Sequence, residues 1–86
     1  MSAENIANFV SVETGIGILK VYEEEDQQDG GFNWSVDDID YQVQIAGYNR
    51  KPFLLHKNLP DGSIQMVAAC STVSALCIEI KALLTN

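Results

Sequence analysis

Asp37, Asp38 and Asp40 place three hard oxygen ligands within one short stretch, so metal binding is the first chemistry to weigh. A calcium loop needs more oxygens around a glycine-permitted turn and a bidentate Glu further on, and that pattern is absent. For zinc, the nitrogen and sulfur ligands are His56, Cys70 and Cys77, with no close Cys or His pair. Nucleophilic catalysis would have to use His56, the single histidine, with Cys70 and an Asp. In the run Phe53, Leu54, Leu55, His56, Lys57, Asn58 that imidazole reads better as a partly exposed strand residue. Gly15 and Gly17 lack the third glycine of a dinucleotide loop, and no Gly-Lys-Ser or Gly-Lys-Thr occurs. Neither a metal nor another cofactor is expected.

Charge is distributed unevenly. Eight of the twelve carboxylates (Glu23, Glu24, Glu25, Asp26, Asp29, Asp37, Asp38 and Asp40) lie between Val21 and Asn49, a stretch without Lys or Arg. Arg50, Lys51, His56 and Lys57 follow just downstream, and the net charge is −7. Contact with phosphates depends on Lys and Arg, so five such residues against twelve carboxylates oppose nucleic-acid binding. The composition favours a protein partner with a basic surface. Trp34 and Tyr41 stand beside the carboxylates, and aromatic anchors within a polar rim are typical of interfaces. Trp34 serves equally well as core filler. A second contact region is expected at Tyr48 and Arg50, through stacking and bidentate hydrogen bonds. The partner-binding set is therefore Glu23, Glu24, Glu25, Asp26, Trp34, Asp37, Asp38, Asp40, Tyr48 and Arg50.

These residues need a scaffold, and 86 residues allow one domain over 1–86 with one core. Val73, Leu76, Cys77, Ile80, Leu83 and Leu84 have the spacing of an amphipathic closing helix, capped by Ser71 or Thr72. Ile64 to Ala69 reads as a strand covered on both faces, with Ala68 and Ala69 allowing close helix packing. Tyr41, Val43 and Ile45 alternate with Gln42, Gln44 and Ala46, and Phe32, Trp34 and Val36 form a similar row, joined by a turn over Asp37, Asp38 and Asp40. Pro52 to Leu55 begins another strand, and Leu59 to Gly62 reverses the chain. Ser2 starts a leading helix through Ile6, Phe9, Val10 and Glu13, stopped by Gly15 and Gly17, and Ile18 to Tyr22 favours a strand. The expected fold is α+β: an antiparallel meander of four to five strands with an N-terminal helix and a C-terminal helix packed on the sheet.

Two cysteines are too few for a disulfide scaffold, and helical spacing between Cys70 and Cys77 would hold them about 10 Å apart, so reduced thiols are expected. The uncharged stretch from Gly62 to Ile78 changes periodicity and carries Gln65, Ser71, Thr72 and Ser74, which argues against a membrane span. The amino terminus has Glu4 and no basic residue before its apolar positions, unlike a secretory signal, so a cytoplasmic location is expected. A small core and complementary acidic and basic segments favour a homodimer.

The order of leading helix, antiparallel meander and closing helix resembles small acidic secretion-chaperone-like domains, which dimerise and hold extended client segments. The resemblance is architectural, lacks their middle helix and transfers no residue. Three readings result: an adaptor or inhibitor with an acidic face, a chaperone-like dimer, and a small enzyme or ligand-binding domain with a site around His56 at a dimer interface.

Overall fold

The computed structural model describes residues 2–23 and 30–85. Helix α1 (Ala3–Thr14) starts where Ser2 Oγ accepts the Asn5 backbone N–H at 3.1 Å, satisfying one orphan donor of the first turn. Gly15 ends it at φ 81, a left-handed conformation that costs glycine little, and donates its N–H to the Ser11 carbonyl at 2.8 Å. Five antiparallel strands follow in sequence order: β1 (Lys20–Tyr22), β2 (Gly31–Val36), β3 (Ile39–Ile45), β4 (Phe53–Asn58) and β5 (Ile64–Cys70). Helix α2 (Val73–Leu84) closes the fold, with Thr72 Oγ1 accepting the Ala75 backbone N–H at 3.1 Å. Thr72, not Ser71, is the cap.

The alternating rows supply one apolar face. Phe32 lies opposite Val43, Trp34 opposite Tyr41, Val43 opposite Leu55 and Ile45 opposite Phe53, and all seven side chains are buried. The helices cover this face with Ala3, Ile6, Ala7 and Val10 from α1 and Leu76, Cys77 and Ile80 from α2. Close approach needs glycine at Gly31, where a Cβ would overlap the Val43 carbonyl oxygen.

Three local expectations are corrected. The first strand is shorter than the Ile18 to Tyr22 reading, covering Lys20 to Tyr22 alone. β5 is not covered on both faces: it is the sheet edge, with Ile64 59% and Met66 51% exposed and Ala69 exposed as well. A β-bulge at the Leu55/His56 step leaves Val67 without a paired residue on β4 and switches which β5 positions face the helices. Finally, Cys70 ends β5 while Cys77 lies on α2, so the helical spacing used to separate them does not apply. Both are buried free thiols.

Candidate functional site

Meander topology decides where the charges go. Alternate connections of an antiparallel meander lie at the same end of the sheet, so the β2–β3 and β4–β5 turns share one end, while the β1–β2 and β3–β4 connections share the other. Asp37 and Asp38 form the first of these turns, between the paired Val36 and Ile39. Their φ values of 52 and 66 are both positive, as a two-residue type I′ hairpin requires, and Asp tolerates that region better than most residues. The turn is thus narrower than the sequence suggested, because Asp40 already belongs to β3. Asp40 faces solvent and accepts a hydrogen bond from Ser35 Oγ across the hairpin.

At the same end the β4–β5 turn presents Asp61, which sequence reasoning passed over. Its Oδ1 accepts the Ser63 hydroxyl at 2.6 Å and the Ser63 backbone N–H at 2.9 Å. These bonds favour the charged form and hold the Asp61 carboxyl below its ordinary value of 3.8, the side-chain bond contributing most. The signal was available in Pro60, Asp61, Gly62 and Ser63, a turn sequence with an Asx-type acceptor. Two strand spacings, about 10 Å, separate the two acidic turns. Lys57, half-buried on β4 opposite Tyr41, is the described cation on the strands at this end.

Glu23 lies elsewhere. It follows β1, beyond Tyr22 and its partner Gly31, at the end of the sheet opposite Asp37. The six residues of β2 separate the two positions by about 17 Å, roughly twice the screening length at physiological salt. Glu23 Oε1 accepts the Glu4 backbone N–H at 3.1 Å, placing an acidic side chain at the positive end of α1. Glu24, Glu25 and Asp26 lie outside the described residues. Tyr48, 79% exposed, and Arg50 belong to the β3–β4 connection and so share the end of Glu23, where Arg50 and Lys51 mix the sign of charge. Glu23 and Asp37, members of one acidic stretch in the sequence, therefore lie at opposite ends of the sheet.

Trp34 is 1% exposed and stacks on Tyr41 with ring centroids 5.8 Å apart and planes 17° from parallel. Phe32 packs on its other neighbouring side at the same centroid distance. Enclosed by rings and helices, Trp34 fills the core and cannot reach a partner's surface in the folded chain; the anchoring role expected of it does not fit its position.

The groups considered for catalysis face apart. His56 lies on the sheet side away from the helices, in the cross-strand row Asn33, Gln42, His56, Met66, whereas Cys70 is buried on the helix side, opposite Phe53. Burial pushes the Cys70 thiol above its ordinary value of 9.0, with Glu79 adding to the shift and Lys51 opposing it. The Cys77 thiol is raised in the same way, by burial first and then Glu13. Protonated thiols are poor nucleophiles. Among the described residues no three His, Cys, Asp or Glu side chains converge to hold a metal, and no helix is long and apolar enough to cross a membrane. Comparison with protein-family models, curated proteins and solved structures finds no match.

Proposed function

We propose that the protein is a non-enzymatic interaction module, an adaptor or inhibitor acting as a cytoplasmic homodimer, whose exposed carboxylates bind a basic surface of another protein. A target that otherwise binds nucleic acid fits this chemistry, because carboxylates would occupy the places of phosphates. The observation that carries the reading is the hairpin end of the sheet, where Asp37, Asp38, Asp40 and Asp61 are all exposed and held on short turns and a strand. Fixed turns present charge without the entropy cost of ordering a long side chain. Glu23, at the other end of the sheet, would supply a second, separate contact with Tyr48 and Arg50 at its margin; Glu24, Glu25 and Asp26 belong to this reading through their charge alone.

The test replaces Asp37, Asp38, Asp40 and Asp61 together by Asn. Asn keeps the turn geometry that positive φ demands, whereas Lys at Asp37 or Asp38 would strain the hairpin and confuse lost charge with lost structure. Immobilised wild-type protein should retain basic proteins from host lysate at about 0.05 M salt and release them at about 0.5 M, where screening is strong. The fourfold variant, with an unchanged circular dichroism spectrum, should lose them. Retention undiminished in the variant would leave these carboxylates a solubilising edge and move the interface to Tyr48 and Arg50.

A further inference from the structure

We propose that the peptide bond between Asp61 and Gly62 is a latent self-modification site, an aspartyl step able to isomerise to isoaspartate, which Ser63 keeps closed while the β4–β5 turn is folded. The inference goes beyond the binding reading above and does not depend on it.

The chemistry needs only water. A backbone nitrogen reaches the carboxyl carbon of a preceding Asp most easily when it belongs to glycine, which has no side chain to hinder the approach. Gly62 N attacks Asp61 Cγ and forms a new C–N bond, while one carboxyl oxygen leaves as water with the carboxyl proton and the Gly62 amide proton. The product is a five-membered cyclic imide. Water then adds at the Asp61 backbone carbonyl carbon and breaks its bond to the Gly62 nitrogen, so the chain afterwards runs through Cγ and the former carbonyl carbon becomes a free carboxylate. One water leaves and one returns, and the mass is unchanged.

Nothing steric guards the site. Asp61, Gly62 and Ser63 are exposed, and beyond its chain neighbours no described atom lies within 4 Å of the place a Cβ on Gly62 would take. What opposes the reaction is hydrogen bonding. The Gly62 N–H donates to the Leu59 carbonyl at 2.9 Å and the Leu59 N–H to the Ser63 carbonyl at 2.8 Å, closing a turn with Pro60 and Asp61 at its centre and Gly62 at φ 89. Attack requires the Gly62 nitrogen to leave the first of these bonds. The other reacting group is committed as well, since Asp61 Oδ1 accepts both the Ser63 hydroxyl at 2.6 Å and the Ser63 backbone N–H at 2.9 Å. Those donors favour the ionised carboxylate, a poor electrophile whose oxygen must gain a proton before it can depart as water. Opening the turn frees both groups at once. Modification then prevents reclosure, because the isoaspartyl link adds a backbone carbon between Leu59 and Ser63, and the two closing bonds no longer fit one loop.

The experiment incubates the full chain at physiological temperature and near-neutral pH and follows isoaspartate by tryptic mapping with isoaspartyl-specific methylation. Cleavage at Lys57 and Lys81 places Asp61 in peptide 58–81, whereas the other Asp-Gly step, Asp29 with Gly30, reports separately in peptide 21–50. Folded wild type should isomerise at residue 61 at least about tenfold more slowly than the same chain in guanidinium chloride, since reaction waits on local opening. Ser63→Ala, which removes the hydroxyl donor and keeps the backbone N–H, should react about threefold or more faster than wild type while its circular dichroism spectrum is unchanged. Ser63→Thr retains both donors and should behave as wild type. Equal rates in the folded and denatured wild-type chain would overturn the proposal without recourse to any variant. A folded Ser63→Ala that reacts no faster than wild type would overturn it too, and a slower one would mean that the Ser63 hydroxyl assists departure of the carboxyl oxygen instead of guarding it.

Discussion

On the helix side of the sheet, Phe32, Trp34, Tyr41, Val43 and Leu55 pack under α1 and α2, whereas the opposite side carries Asn33, Gln42, His56 and Met66 in one cross-strand row away from both helices. The same strands supply both sets, since successive side chains point to opposite faces. The two faces divide the labour of the molecule. Burial on the first provides folding energy; the second, with the turns and the β5 edge, is free of that duty and open to partners. Asn33 Nδ2 donates to the Tyr22 hydroxyl at 2.9 Å, while the Asn33 Oδ1 and His56 Nδ1 atoms are buried without a protein hydrogen-bond partner among the described residues.

Substitutions on the covered face should have the largest effect. Leu76 and Ile80 are both 0% exposed, so truncating either to Ala should cost about 2 to 5 kcal/mol through lost transfer energy and a residual cavity. Met66→Ala on the open edge should stay within about 0.5 kcal/mol for the monomer. Urea midpoints of the three variants, measured at a concentration low enough to avoid association, test the division directly. Equal losses at Leu76 and Met66 would mean that the open side is covered in solution.

The helix caps come next, because they fix how α2 meets the covered face. Thr72→Ala leaves the Ala75 N–H without its side-chain acceptor and should cost about 1 kcal/mol, whereas Ser71→Ala should be near neutral. A larger loss at Ser71 would shift the start of α2.

The β2–β3 hairpin tests whether the acidic tip is shaped by backbone need or by charge. Asp38 sits at φ 66, so Asp38→Gly should be neutral or stabilising by up to about 1 kcal/mol, and Asp38→Val should destabilise by a comparable amount or more. Binding of a basic partner should weaken in both. Thermal melts of the pair separate strain from charge, and binding that follows stability instead of charge would remove the acidic tip from the interface.

Local periodicity made the closing helix, the Phe32 and Tyr41 rows and the leading helix legible in the sequence, because apolar spacing is set within each element. β5 misled for the same reason. Apolar residues on both of its faces read as burial from two sides, but the topology puts it at an edge and the bulge at Val67 reverses its facing midway. The acidic stretch misled in a different way. Glu23 and Asp37 are close in sequence, but one strand lies between them, and a strand separates its ends while a turn joins them. Counting connections would have assigned Asp61 to the Asp37 end and Arg50 to that of Glu23. Trp34 was ambiguous because the residue type that anchors interfaces is also the largest core filler, and burial decides between these uses.

The smallest expected effect is a pH dependence at the turn leading into the open edge. Asp61 is fully exposed, and its two bonds from Ser63 lower its affinity for a proton in the folded state. The unfolded chain therefore binds the proton first as pH falls, so the turn's contribution is complete above the ordinary value of 3.8 and disappears as pH drops through the lower folded value. Solvent screening keeps the contribution small. Asp61→Asn preserves an oxygen acceptor for Ser63 and removes the charge. Its urea midpoint should fall slightly below wild type at about pH 7, and the gap should close toward about pH 3. A gap of the same size at both pH values would mean that the Asn side chain disturbs the turn itself, and Asp61 would then matter to the β5 edge through backbone geometry alone.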